Sequence, residues 1–400
     1  MSLQNFIRGS TSLSGLNWDK IWILGPILLW FIVFISWKEL IRFSYTRCLL
    51  VFLVYVVLHS FFVSIVGNVD LSIVGVAGWI LWAGLFLTLS LGRTEKLVSA
   101  ILSTMIFVAF INAVAHLIEA LAGIQIRSAG STIPFTDIYR YEGIGVNNGI
   151  SSTQMLIGAL ISYYYLQQKY MFFKCTRLFI YLSFAVIFSG LMLSTIRGSI
   201  VLFFFSIFVL FVFKKRRTRN DYYFIFLNFL LTIVISTLFY GNETTEYMLF
   251  ILKAFSPEDP GNIERLSLLS QYGGLLPRVI ADTPVSIEGS VFGIGAGVFS
   301  YGAYYTPHGP LSFENSALRL RIELGIMGLI LFSVFVYKVI RFALRSKGLS
   351  PTNVVYLTLL AVIILRSLQN DILQTWLGSL YFWGILGLLV HSVRLNFARR

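Results

Sequence analysis

Runs of predominantly apolar residues recur along the whole of this chain, each close to the roughly 17 to 25 residues that a helix needs to cross about 30 Å of hydrocarbon. No other feature restricts the fold as tightly, because a segment in lipid must satisfy its backbone N–H and C=O groups within a helix or a closed barrel. Barrel strands would read as short alternating segments. These runs are long and continuous, so the expected fold class is all-α. With 57% of 400 residues hydrophobic and only 12% charged, the chain carries more apolar side chain than a soluble core of this size hides.

Hydropathy marks about eleven spans, at residues 22–37, 48–67, 71–91, 97–124, 149–166, 178–194, 197–213, 222–240, 322–340, 351–369 and 372–393. They read as one polytopic domain over residues 1–400, with one long polar loop at 241–321 between the eighth and ninth spans. The first twenty residues are polar and lack an apolar h-region, so no cleavable signal peptide is expected and the first span serves as the insertion signal.

The net charge of +13 would suit nucleic acid, but its distribution points elsewhere. With the C-terminus in the cytosol, 20 of the 31 basic residues fall in short cytosolic segments, the densest being Lys214, Lys215, Arg216, Arg217 and Arg219. That is the positive-inside pattern, so the basicity is topological and no nucleic-acid partner is expected. Cys48 and Cys175 both lie at cytosolic ends, which implies no disulfide. His59, His116, His308 and His391 show no ligand spacing, so no metal or other cofactor is expected.

Two polar segments on the outer side have real length, 125–148 and 241–321. Loops of that size in compact proteins are usually functional or disordered, and these hold aromatics, glycines and prolines, so they are expected to fold over the membrane mouth. Of the eleven outer basic residues nine are Arg. Arginine's planar fork binds phosphate in a bidentate way, which points to an anionic ligand there, with lipid headgroups or ion pairs as the alternative.

Within that set Arg197 is the sharpest residue, standing in LSTIRGSIVLFF between two apolar runs. A charge so close to hydrocarbon must snorkel, pair or face a cavity. Arg140 precedes the glycine-rich turn of RYEGIGVNNG, where Asn147 and Asn148 lead into a helix whose N–H groups favour anionic oxygens. Arg265 and Arg278 lie in the long loop, followed by Gly293, Gly295 and Gly297, whose spacing predicts a close approach of backbone to a ligand or another helix. No strand, turn and helix surround these glycines, which excludes a dinucleotide fingerprint. The loop ends in ENSALRLRIELGIMG, in which Glu314, Leu318 and Arg321 share a helical face and Arg319 and Glu323 form an i, i+4 pair.

In order and topology these segments resemble the O-antigen polymerase and O-antigen ligase family of polytopic glycosyltransferases. RYEGIGVNN is similar to the family's Arg, Gly and Asn segment before a mid-chain helix, and STIRGS to its Ser-Arg-Gly helix start. PVSIEGSVFGIGAGVF is similar to its Gly-x-Gly-x-Gly-x-Phe segment, and the Glu314 block to its His-Asn block. Arg278 and Gly289 also fit an Arg, ten residues, Gly spacing of polymerase outer loops. Where ligases carry His, this chain has Glu314, and His308 is out of register, which favours polymerase over ligase.

The resemblance implies joining of undecaprenyl-diphosphate-linked oligosaccharide repeats at the periplasmic face of a bacterial inner membrane, without metal or nucleotide. Its implied catalytic residues are Arg197, on the departing diphosphate, and Glu314, on the acceptor hydroxyl. Arg140, Asn147, Asn148, Arg265, Arg278, Asn315 and Arg319 are the implied substrate-binding set. A chain-length regulator and a flippase are the implied protein partners. A flippase role for the chain itself would need charges lining a mid-membrane path, and the candidates are few: Glu119, His59 and His116.

Overall fold

The computed structural model describes residues 29–67, 72–91, 95–123, 131–132, 139–140, 148–167, 177–214, 219–241, 244–253, 293, 316–345, 350–368, 373 and 376–398. In chain order the elements are α1 (Trp37–Leu40), α2 (Ser44–Gly67), α3 (Ser72–Ser90), α4 (Glu95–Ala122), β1 (Ser131–Thr132), β2 (Tyr139–Arg140), α5 (Asn148–Gln167), α6 (Arg177–Leu193), α7 (Arg197–Phe213), α8 (Arg219–Tyr240), α9 (Thr244–Leu252), α10 (Ser316–Arg345), α11 (Pro351–Ser367) and α12 (Trp376–Ala398). The protein is a helical membrane protein. Among the described residues five segments are long and apolar enough to cross a bilayer: Ser44–Val63, Val98–Ala122, Asp221–Tyr240, Arg319–Arg345 and Gly378–Leu395. Shorter apolar helices cover Val76–Ser90, Leu178–Leu193, Arg197–Phe213 and Pro351–Ser367.

The polarity of α8 shows how lipid shapes the sequence. Asn228, Thr232 and Ser236, four residues apart in turn, are buried, whereas Phe226, Phe229, Ile233 and Leu238 are exposed. A soluble helix would place these faces the other way round. Two groups of the stripe bond back to their own helix, Asn228 Nδ2 donating to the Phe224 carbonyl at 2.7 Å and Thr232 Oγ1 to that of Asn228 at 2.8 Å.

Helices α4 to α9 and the β1–β2 ribbon form one compact unit, and α1 to α3 with α10 to α12 form a second. In the first, α5 packs along α6 and α7, α8 lies against α6 and α9, and α9 touches α7. Small residues let α4 cross closely: Ala109 lies at Gly158, and a Cβ on Gly190 would sit 2.5 Å from Ala113 Cα. Such contacts replace hydrophobic driving force where lipid tails are as apolar as the side chains. Phe184, Phe188, Phe203 and Phe224 fill the space between α6, α7 and α8, with ring centroids 5.0 Å apart for Phe184 and Phe224 and 5.1 Å for Phe188 and Phe203.

In the second unit α12 packs on α3 and α11, and α10 on α2. Trp383 is its aromatic centre, stacked on Phe335 at 5.6 Å and edge-on to Trp79 at 6.1 Å. The start of α11 follows from Ser350-Pro351: the Ser350 hydroxyl accepts from Asn353 N at 3.2 Å, and proline takes a position where no intrahelical N–H is needed. At the far end of α12 Arg394 donates to the Ser90 carbonyl at 2.7 Å, pairs with Glu39 and covers the Phe43 ring.

Helix α10 departs from the continuous helix that ENSALRLRIELGIMG predicts. It is broken at Gly325, whose φ of 69° and ψ of −177° lie in a region that only glycine occupies freely. The break releases carbonyls from the helical ladder, and the Tyr55 hydroxyl donates to one of them, Leu324 O, at 2.6 Å.

Candidate functional site

One end of the first unit holds the turn between α6 and α7. Residues 194–196 turn the chain from α6 into α7, and Thr195 adopts φ 52°, a left-handed conformation that a β-branched residue rarely holds. The turn is fixed from within: Ser194 N donates to Gly190 O at 2.9 Å, Thr195 N to Met192 O at 3.3 Å and Ser194 Oγ to Leu191 O at 2.7 Å. It is also fixed from α9, where Tyr247 Oη donates to Met192 O at 2.6 Å. Burial pushes the Tyr247 phenol far above its ordinary value, so it remains a donor.

Arg197 is the first residue of α7, and the N-cap residue, Ile196, makes no side-chain capping bond. Its guanidinium lies 4.4 Å from the centroid of Phe250 on α9, and the residue is half-buried. Cation–π contact helps to hold the fork in place. A cation at a helix N-terminus adds to the positive end of the dipole, a combination that is unfavourable by itself and that an anion relieves. Two residues further on, Ser199 Oγ and Ser152 Oγ are 2.9 Å apart, which joins the start of α7 to the start of α5.

Helix α5 is buried from Gly149 to Tyr165. It brings Ser151, Ser152, Thr153 and Gln154 inside, and α4 brings Asn112, His116 and Glu119, each no more than 7% exposed. Asn112 is the junction: its side-chain amide donates to Gln154 Oε1, and its carbonyl lies 2.8 Å from His116 Nδ1.

The second unit has its own polar feature at the α10 break. Arg319 Nε and Glu323 Oε1 are 3.1 Å apart, 6% and 0% exposed, so the i, i+4 pair is buried. Gly293, at φ 87°, packs its backbone on the break; a Cβ there would lie 2.6 Å from the Glu323 carbonyl carbon. This is a close approach of backbone to helix of the kind the triple-glycine spacing predicts. His59 Nε2 donates to Gly293 O at 3.3 Å and stacks on Tyr55, while Ser316 Oγ accepts from Leu373 N at 3.2 Å.

Among the sequence-derived site residues, three belong to the first unit. Arg197 opens α7, Asn148 opens α5, and Arg140 lies in β2, paired with Ser131 in the α4–α5 connection. Arg319 is in the first turns of α10, committed to Glu323 through Nε. Glu314, Asn147, Asn315, Arg265 and Arg278 lie outside the described residues. The sequence reading did not single out Phe250, Tyr247, Asn112 or Gln154, and it weighed His116 only as a mid-span charge. The spacing of Asn112, His116 and Glu119 at i, i+4 and i+7 was the available signal. No protein-family model matches the chain, and no curated protein matches it.

Proposed function

We propose that this protein polymerises undecaprenyl-diphosphate-linked oligosaccharide repeat units into a surface polysaccharide, by metal-independent glycosyl transfer at the periplasmic face of a bacterial inner membrane. The supporting observation is Arg197, a half-buried guanidinium held on Phe250 at the start of α7. Guanidinium and helix terminus together favour the charge that gathers on a departing diphosphate, the kind of electrostatic stabilisation that often dominates catalysis. Arg140 and Asn148, on the connection into α5 and at its start, supply further donors for phosphate or sugar. Glu314 orients or deprotonates the acceptor hydroxyl, and Asn147 and Asn315 hydrogen-bond sugar.

The topology of this reading has about eleven spans, with the basic clusters inside and the loops of residues 125–148 and 241–321 outside. A flippase delivers the repeats and a chain-length regulator limits their number. The reaction breaks the bond from the donor sugar's C1 to the diphosphate oxygen and forms one to the acceptor oxygen, so the donor's own leaving group replaces any nucleotide.

Lipid-linked products from cells lacking the protein decide between this activity and a ligase. Single repeats are expected to accumulate; accumulation of long lipid-linked polymer would mean a ligase instead. Arg197→Ala at normal expression is expected to reproduce the single-repeat pattern, and undiminished long chains from that variant would end the proposal.

A further inference from the structure

Two buried side chains of the first unit carry hydrogen-bonding atoms with no partner among the described residues. They are Nε2 of His116 and Nε2 of Gln154, in residues 0% and 2% exposed. Both side chains are held by the same residue, since Asn112 donates its amide to Gln154 Oε1 and accepts His116 Nδ1–H at its carbonyl. That second bond fixes the tautomer. With the proton on Nδ1, neutral His116 presents a lone pair at Nε2. Gln154, with its oxygen engaged, presents N–H.

A buried acceptor and a buried donor that both lack a partner each cost roughly 1 to 3 kcal/mol, so the arrangement makes sense when something fills it. An acceptor lone pair and an amide N–H, on side chains that one residue holds, complement one O–H group, which donates its hydrogen to the first and accepts at its oxygen from the second. Ser151 Oγ, also buried without a partner among the described residues, adds a further hydroxyl on α5. Helix α4 ends at Ala122 and α5 starts at Asn148, so His116 and Gln154 each lie six residues, about 9 Å, inside the same end of the unit. That end also holds the Arg197 turn, joined to it through Ser152 and Ser199.

We infer that the ends of α4 and α5 form a hydroxyl-binding site for the acceptor sugar, with His116 Nε2 as the proton acceptor and the Gln154 amide as the donor that orients the oxygen. The inference rests on the polymerase reading and assigns the base to His116 instead of Glu314. In the transfer the acceptor O–H bond breaks and its proton passes to Nε2. The freed oxygen pair bonds to the donor's C1, and the C1–O bond to the diphosphate breaks with its pair leaving on undecaprenyl diphosphate. His116 then returns its proton to that phosphate.

The test uses full-length protein in nanodiscs, with two probes: undecaprenyl diphosphate, and the lipid-linked single repeat extracted from cells lacking the protein. Gln154→Met, close to volume-conserving, is expected to weaken binding of the repeat roughly tenfold, as loss of one buried hydrogen bond predicts, while binding undecaprenyl diphosphate as wild type does. His116→Phe is expected to slow polymer formation at least a hundredfold, the usual contribution of a general base. Wild-type repeat binding and wild-type polymerisation in both variants would mean that the two groups hold only water, and would overturn the inference. If His116→Phe fails to fold, repeat binding by Gln154→Met decides alone. Arg197→Ala separates the layers: lost binding of undecaprenyl diphosphate with normal Gln154→Met and His116→Phe sinks this inference alone, whereas normal binding and polymer in Arg197→Ala sinks the polymerase reading beneath it.

Discussion

The Arg319–Glu323 pair permits a sharp prediction, because both charges are withdrawn from solvent and only 3.1 Å apart. At an effective dielectric constant of about 20 their attraction at that distance is about 5 kcal/mol, and it is opposed by the desolvation of each ion. Replacing Glu323 by Met leaves the Arg319 charge in a site with 6% exposure, and breaking a buried pair in this way costs about 3 to 5 kcal/mol. The double variant Arg319→Met with Glu323→Met removes both charges and keeps the volume, so it is expected to lie between neutral and about 4 kcal/mol more stable than wild type. Reversible unfolding of the purified protein in mixed micelles by increasing SDS measures both, and a cycle with Arg319→Met alone isolates the coupling. A Glu323→Met change costing less than about 1 kcal/mol, or a double variant as unstable as the sum of the singles, would refute this reasoning. The same double variant bears on the assignment of Arg319 to substrate. Stable protein that still makes long chains would confine Arg319 to the ion pair; stable protein that accumulates single repeats would keep it in the binding set.

Two further perturbations probe the scaffold around each polar feature. Gly293→Ala must adopt a left-handed backbone, which costs about 1 to 2 kcal/mol, and must also displace Glu323 and Gly325; a total near 3 kcal/mol is expected in the same SDS titration. A neutral result would show that Gly293 does not rest on the α10 break. Tyr247→Phe removes the donor to Met192 O and is expected to cost about 1 kcal/mol. It is also expected to loosen the turn that positions Arg197, so undecaprenyl diphosphate should bind more weakly than to wild type; unchanged binding would show that the turn holds without α9.

Much of the helical framework was legible because lipid imposes a one-dimensional rule. A run such as ILSTMIFVAFINAVAHLIEALA can do little else than span, and α4 follows it closely. Arg197 was legible for the same reason, as a charge set between apolar runs. Helix α5 shows where that rule weakens: its first turns are Ser151, Ser152, Thr153 and Gln154, polar by composition yet buried, because neighbouring helices rather than lipid surround it. The kink at Gly325 was hidden because a single glycine in ELGIMG is compatible with a helix. What breaks it is a long-range event, the arrival of Gly293 and the Tyr55 hydroxyl, and no local pattern records that. The Asn112 junction was equally out of reach, since its meaning depends on a partner 42 positions away.

The interruption at Gly325 also acts as a ruler. As one straight rod, the thirty residues of α10 would measure about 45 Å, half as long again as the hydrocarbon they cross. Divided at Gly325, the helix has twenty residues after it, to Arg345, which reach about 30 Å, the length that a bilayer crossing needs. The nine residues before it, with Arg319 and Glu323 among them, form a separate short rod. Substituting Gly325 by Ala would favour the unbroken rod, so the length of the straight helix is here set by one residue's backbone freedom.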